Sequence, residues 1–220
     1  MPHPRSAQVF SEGAELAAKL AFLGLLLLLP ALAGYGVWRE NAYQALGEPL
    51  AQPIPFSHKH HVGDDGIDCR YCHTTVETSR YAGLPSTHTC LTCHSQLYTD
   101  AGVLGPLHES ARSGRPIAWQ RVHYLPGFVY FDHAVHVAKG VACFECHGRV
   151  DQMPITWRAQ PLQMQWCIGC HRDPGPHLHP RDQVFRMPPA PVSSAEARTL
   201  VANARLESVQ RRTDCSTCHR

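Results

Sequence analysis

Residues 56–73 read FSHKHHVGDDGIDCRYCH and residues 131–147 read FDHAVHVAKGVACFECH. Both open on F-x-H-x-x-H and both close on C-x-x-C-H. The closing unit is found five times, as Cys69-Cys72-His73, Cys90-Cys93-His94, Cys143-Cys146-His147, Cys167-Cys170-His171 and Cys215-Cys218-His219. These units use all 10 cysteines of the 220-residue chain. A disulfide framework has no need of a His after every second Cys. Zinc sites built from C-x-x-C pairs take two pairs each and do not require that His, and five pairs do not divide by two. C-x-x-C-H is the attachment signature of c-type haem: two thiols form thioethers to the vinyl groups and the adjacent His lies under the iron. The pattern therefore implies five covalent haems, attached through these ten cysteines, with His73, His94, His147, His171 and His219 as proximal ligands.

The first cysteines of successive motifs stand 21, 53, 24 and 48 residues apart. A short-long-short-long spacing, with F-x-H-x-x-H ahead of the first and third motifs, is an internal repeat. Residues 56–98 and 131–171 are read as two copies of a di-haem module, and residues 172–220 as a fifth-haem module. Residues 99–127 form a linker to which no function is assigned.

Five macrocycles leave little protein to cover them. About 180 residues follow the N-terminal apolar segment, roughly 36 per haem, too few for an ordinary hydrophobic core. The haems themselves must be the core, with the thioether bonds as staples. The expected fold is that of a multihaem cytochrome c: mostly irregular, with short α-helices around a haem core and no significant β-sheet. The 18 Pro and 16 Gly agree. One longer helix is predicted over about 195–211, from the capping-box pair Ser193 and Glu196 and the apolar recurrence of Ala197, Leu200, Val201, Ala204 and Val209. A net charge of +2 gives no reason to expect nucleic acid.

Leu20 to Trp38 reads LAFLGLLLLLPALAGYGVW without a charge, the length of a spanning helix. Tyr35 and Trp38 sit where interfacial aromatics belong, and Pro30 is tolerated in such helices. Residues 1–40 are thus read as an N-terminal segment with a transmembrane anchor at about 17–38, and residues 41–220 as the exported haem domain. The competing reading is a signal peptide cut near Ala31-Leu32-Ala33. Against it stand the long apolar run and a weakly basic start, in which Glu12 and Glu15 offset Arg5 and Lys19.

Each iron needs a sixth ligand unless it is to do chemistry on a substrate. His58 and His133 stand 11 and 10 residues before their motifs, and His61 and His136 lie one helical turn further on, placed for a neighbouring haem. Recurrence in both repeats marks all four as distal ligands. One iron is left, with Met187, Met164, Met153, His123, His177 and His179 as candidates. Met187 is preferred, because the prolines around it stiffen the loop that would press a thioether on iron; His123 is next.

F-x-H-x-x-H ahead of C-x-x-C-H resembles class III multihaem cytochromes c. Over nearly the whole chain, the apolar N-terminus, FSHKHHVGDDGIDCRYCHT, the W-x-R-V-H-x-L-P stretch from Trp119 to Pro126 and the terminal DCSTCHR resemble the pentahaem subunit of bacterial alternative complex III. The resemblance implies an electron-transfer subunit with four bis-His haems and one His/Met haem. That subunit sits in the cytoplasmic membrane on a single helix, N-terminus inside and haem domain periplasmic. Implied partners are an iron–sulfur, molybdopterin-like subunit, polytopic quinol-binding subunits and a mono-haem cytochrome c, with a terminal oxidase or soluble cytochrome as acceptor. Two other readings share features: a membrane-anchored quinol dehydrogenase of a nitrate or nitrite system, which carries four haems, and a multihaem redox enzyme, which needs one open iron.

Overall fold

The structure is a computed structural model that describes residues 11–43 and 46–219; Arg5, counted above in the N-terminal charge balance, lies outside them. It divides into two units, Met1–Ala45 and Leu46–Arg220.

Among the described residues, the first unit holds one helix, α1 (Glu12–Tyr43), which runs through Pro30. Glu15 and Lys19 pair one turn apart at its start, at 2.6 Å. From Glu12 to Trp38 it is long and apolar enough to cross a membrane, and none of that surface is buried. Its 27 residues span about 40 Å at about 1.5 Å per residue, enough for a bilayer core of about 30 Å. Tyr35 and Trp38 pack at a tilt near one end, with ring centroids 5.8 Å apart.

In the second unit, the described residues form short helices and no strand, only two isolated bridges, Val129 with His219 and Val141 with Leu178. The helices are α2 (Cys69–Cys72), α3 (Thr87–His94), α4 (Gly105–Ser113), α5 (His133–Ala138), α6 (Cys143–His147), α7 (Met164–Arg172), α8 (Ser194–Asn203), α9 (Val209–Arg212) and α10 (Cys215–Cys218). A π-helical turn covers Lys59–Asp64. Five of the helices carry the C-x-x-C-H units. Helical spacing makes i, i+3 and i+4 neighbours on one face, so a single turn brings both thiols and the imidazole together. Those turns are too short to stand on propensity, and side-chain caps hold several of them. Asp68, Ser86 and Asp214 accept from the main-chain N–H of Arg70, Thr89 and Ser216.

Only eight apolar side chains are buried among the described residues. A chain of this length ordinarily buries far more. Ile54, Leu104 and Leu107 form one small cluster, with Cys90, Leu91, Ile117 and Trp119 packed against it. The linker reading of residues 99–127 missed this: the segment holds α4 and most of the protein's own apolar cluster. Ser110 ties it to the second motif through Thr87, at 2.6 Å.

The helix predicted over 195–211 is two helices. Ser193 caps α8 by accepting from the Glu196 N–H at 3.2 Å, as the pattern implied. The chain then leaves the helix at Arg205, whose φ is +47°, a left-handed conformation that ends helices. Lys139 Nζ donates to the freed carbonyl of Ala204 at 2.8 Å, and Ser208 caps the restart by accepting from the Arg211 N–H. A straight helix would carry Arg212 away from α7. The break returns it there, with Arg212 Nε donating to the His171 carbonyl at 3.0 Å.

Candidate haem-binding site

The two F-x-H-x-x-H segments fold alike. Phe56 stacks on His61 with centroids 4.5 Å apart and meets His58 edge-on at 4.9 Å. Phe131 stacks on His136 at 4.4 Å and meets His133 edge-on at 4.8 Å. The phenylalanine is thus the element that orients both imidazoles, a role that the sequence pattern contained but the reading of it did not assign.

Metal-bound imidazoles commonly donate their second ring N–H to a carbonyl, which sets the tautomer and aims the other nitrogen. Seven of the nine histidines proposed as ligands do so through Nδ1. His73 donates to Gly83 O at 2.7 Å, His94 to Leu97 O at 3.1 Å, His171 to Arg212 O at 2.8 Å and His219 to Phe128 O at 3.3 Å. His61 donates to Ser57 O at 2.9 Å, His136 to Asp132 O at 2.7 Å and His133 to Arg80 O at 2.9 Å. For the other two, Nδ1 of His58 bonds Thr156 Oγ1 at 2.9 Å, and Nδ1 of His147 meets Nε2 of His123 at 3.2 Å.

The ring separations fit the same group. An imidazole nitrogen binds a metal at about 2 Å, and the ring centroid lies about 1 Å behind it, so two rings on opposite sides of one iron stand about 6 Å apart. His61 and His94 are 6.2 Å apart, His136 and His171 6.1 Å, and His133 and His147 6.4 Å with planes 8° from parallel. Burial, then the neighbouring His73, brings the His58 pKa down to about 4. Burial and Arg158 do the same for His123, also to about 4. Burial lowers His147 well below the ordinary value, with His123 and His133 adding to it. Neutral imidazole is the form that binds metal.

The ten thiols are all free. Burial, with Cys69 next in weight, pushes Cys143 up to about 12, and burial with Cys170 and Cys167 pushes Cys146 up to about 12. Burial followed by Cys90 raises Cys72, and burial followed by Cys218 raises Cys167. Zinc needs thiolates, and among the described residues no three His, Cys, Asp or Glu side chains are placed to hold a lone metal ion. Thiols in pairs, most of them partly covered, suit thioether formation. Arg80 adds a further sign of fit. Its Nε is buried without a partner and its guanidinium lies between the rings of Tyr81 and Tyr130, 5.0 Å from each, a cation suited to an acidic group such as a haem propionate.

The remaining candidates are dispersed. His177 and His179 both bond Glu145, at 2.7 and 3.1 Å. Met153 is buried and Met164 is exposed. Met187 stands two residues after Phe185, whose carbonyl lies 3.9 Å from Cys69 Sγ and whose ring carries Arg70 at 4.5 Å. The loop thus lies beside the first motif. His123 is with His147, so the linker stretch Trp119–Pro126 reaches the third motif.

Residues 129–220 match the family described as cytochrome c7 and related cytochrome c. Over that range the fold class is that of a multihaem cytochrome c. The cofactor of such a protein is c-type haem with its iron. The chain is also similar to the menaquinone reductase, multiheme cytochrome c subunit, of Nitratidesulfovibrio vulgaris strain Hildenborough. The two are 39% identical over 153 residues, covering 69% of this chain and 63% of that relative, so the chain spans less than two thirds of the relative's length.

Proposed function

We propose that this chain is an electron-transfer subunit carrying five covalent c-type haems. It serves a membrane complex that oxidises quinol and passes the electrons to a periplasmic cytochrome or terminal oxidase. The observation that carries this reading is the set of paired imidazoles. His58, His61, His133 and His136 are assigned as distal ligands beside His73, His94, His147, His171 and His219. Irons closed on both sides exchange electrons and leave no position for a substrate, so the subunit itself is not an enzyme. Met187 is the proposed thioether ligand of the remaining haem, with His123 the competing one.

Helix α1 serves as a single-pass anchor, N-terminus cytoplasmic and haem domain periplasmic. The resemblance to alternative complex III supports iron–sulfur, molybdopterin-like, polytopic quinol-binding and mono-haem cytochrome partners. The relative's name, menaquinone reductase, describes quinone chemistry in the opposite direction. A chain of closed haems conducts either way, and the potentials at its two ends decide the direction.

The mass of the purified holoprotein tests the count: five haems are expected, and four would return the chain to the nitrate or nitrite class of quinol dehydrogenases. For the sixth ligand, Met187→His is expected to lower the highest-potential component in a redox titration, because a thioether favours ferrous iron more than an imidazole does. An unchanged highest potential removes Met187 as ligand.

A further inference from the structure

Along the chain the motifs run from first to fifth, but their contacts in space follow another order. Tyr71, inside the first motif, shares a 2.7 Å hydrogen bond with Thr92, inside the second. The first motif also meets the third across one loop: the Cys143 N–H donates to Val184 O at 3.0 Å, and Phe185 O accepts from Cys69 Sγ at 3.9 Å. The third meets the fourth through His136, whose carbonyl accepts from the Val141 N–H at 3.0 Å just before Cys143 and whose ring is 6.1 Å from that of His171. The fourth meets the fifth through Arg212, bonded twice to His171, at 2.8 and 3.0 Å, three residues before Cys215.

On these contacts the second and fifth motifs have one neighbouring motif each, and the others have two; the fifth also touches residues 128–130, ahead of Phe131, through the Cys218 carbonyl and the Tyr130 N–H, but not the third motif itself. Solvent exposure divides them the same way. Cys93 of the second motif and Cys215 of the fifth are exposed, and the other eight cysteines are partly covered. An exposed attachment point puts the edge of its group at the protein surface.

We propose that the five motifs form one line in the order second, first, third, fourth, fifth, and that the chain exchanges electrons with its partners through the second and fifth. The chain takes one electron from a reduced one-electron centre of a partner at one end. It returns one to an oxidised centre of another partner at the other end, so its own oxidation state is unchanged over a cycle. This rests on the five-haem reading above, which the holoprotein mass tests by itself.

The order is tested by tagging one haem at a time in the full-length holoprotein. A His→Met change at a proximal position raises that haem's potential, so it stays reduced while its neighbours titrate, and their midpoints fall. In redox titrations, His94→Met is expected to shift its own component and one other, and His73→Met its own and two others. Alignment in sequence order requires the reverse, two neighbours for the second motif and one for the first, and that pattern overturns the proposal. So does the absence of any neighbour shift in both variants. If either variant has lost haem by mass, interhaem contacts in the NMR spectrum of the wild type decide. Contacts of the first-motif haem with both the second and the third support the line, and a direct contact between second and third overturns it.

Discussion

His136→Ala is expected to convert the haem bound under His171 from a closed, low-spin state to one that binds one equivalent of carbon monoxide per chain when reduced. The wild type is expected to bind none. His136 is held at both ends of its ring: Nδ1 donates to Asp132 O at 2.7 Å, and Phe131 stacks on its face at 4.4 Å. That holds the ring 6.1 Å from that of His171, and alanine removes the nitrogen that would close the iron. His61→Ala makes the same change opposite His94, through Ser57 O and Phe56. Haem content is expected to stay constant in both variants, because the thioethers and proximal imidazoles are untouched. Spectra that stay low-spin, with no carbon monoxide bound, would show that the paired histidines orient the chain and do not bind iron.

The second large effect is expected at Gly140. Its φ is +88°, where an L-residue is strained by about 1–2 kcal/mol, and an added Cβ would stand 2.6 Å from the carbonyl oxygen of His179. That oxygen is main chain and cannot swing aside. His179 N–H donates to Gly140 O at 2.8 Å, and Val141 bridges to Leu178, so the clash falls on the seam that joins the third motif to the proline-rich loop. Gly140→Ala is expected to cost about 2–4 kcal/mol of stability, read as a fall in the thermal midpoint of the holoprotein. Gly127→Ala, with nothing near its would-be Cβ, is the control and is expected to stay within about 0.5 kcal/mol. Equal midpoints for the two variants would remove the steric argument.

What was legible in the sequence was local. C-x-x-C-H is complete within one helical turn and F-x-H-x-x-H within six residues, so spacing alone placed the thiols and imidazoles on common faces. The apolar run to Trp38 was legible for the same reason, since a spanning helix satisfies its own backbone. The missed features are long-range or depend on one backbone angle. Periodicity carried the helix at Ser193 through to about 211, but nothing in it registers that Arg205 turns left-handed so that Arg212 can return to His171. His123 was ranked by elimination, whereas its position beside His147 comes from the fold of a segment read as an empty linker. The order of the motifs in space was equally invisible, because the loop at Val184 and Phe185 that joins first to third follows both by some 40 residues or more.

The scarcity of buried apolar side chains bears on how the protein is made. A chain with so little core of its own has no stable fold to wait in before its prosthetic groups arrive. Each copy is therefore an open target for proteases until its haems are attached. The fifth motif follows the other four off the ribosome, and its Cys218 carbonyl accepts from the Tyr130 N–H at 2.8 Å, clasping the stretch just ahead of Phe131. Its ligation is a stitch between distant parts of the chain. The steady-state amount of this protein in a cell should accordingly track the supply of haem and the capacity of the attachment machinery, with quality control exercised by degradation of copies that stop one stitch short.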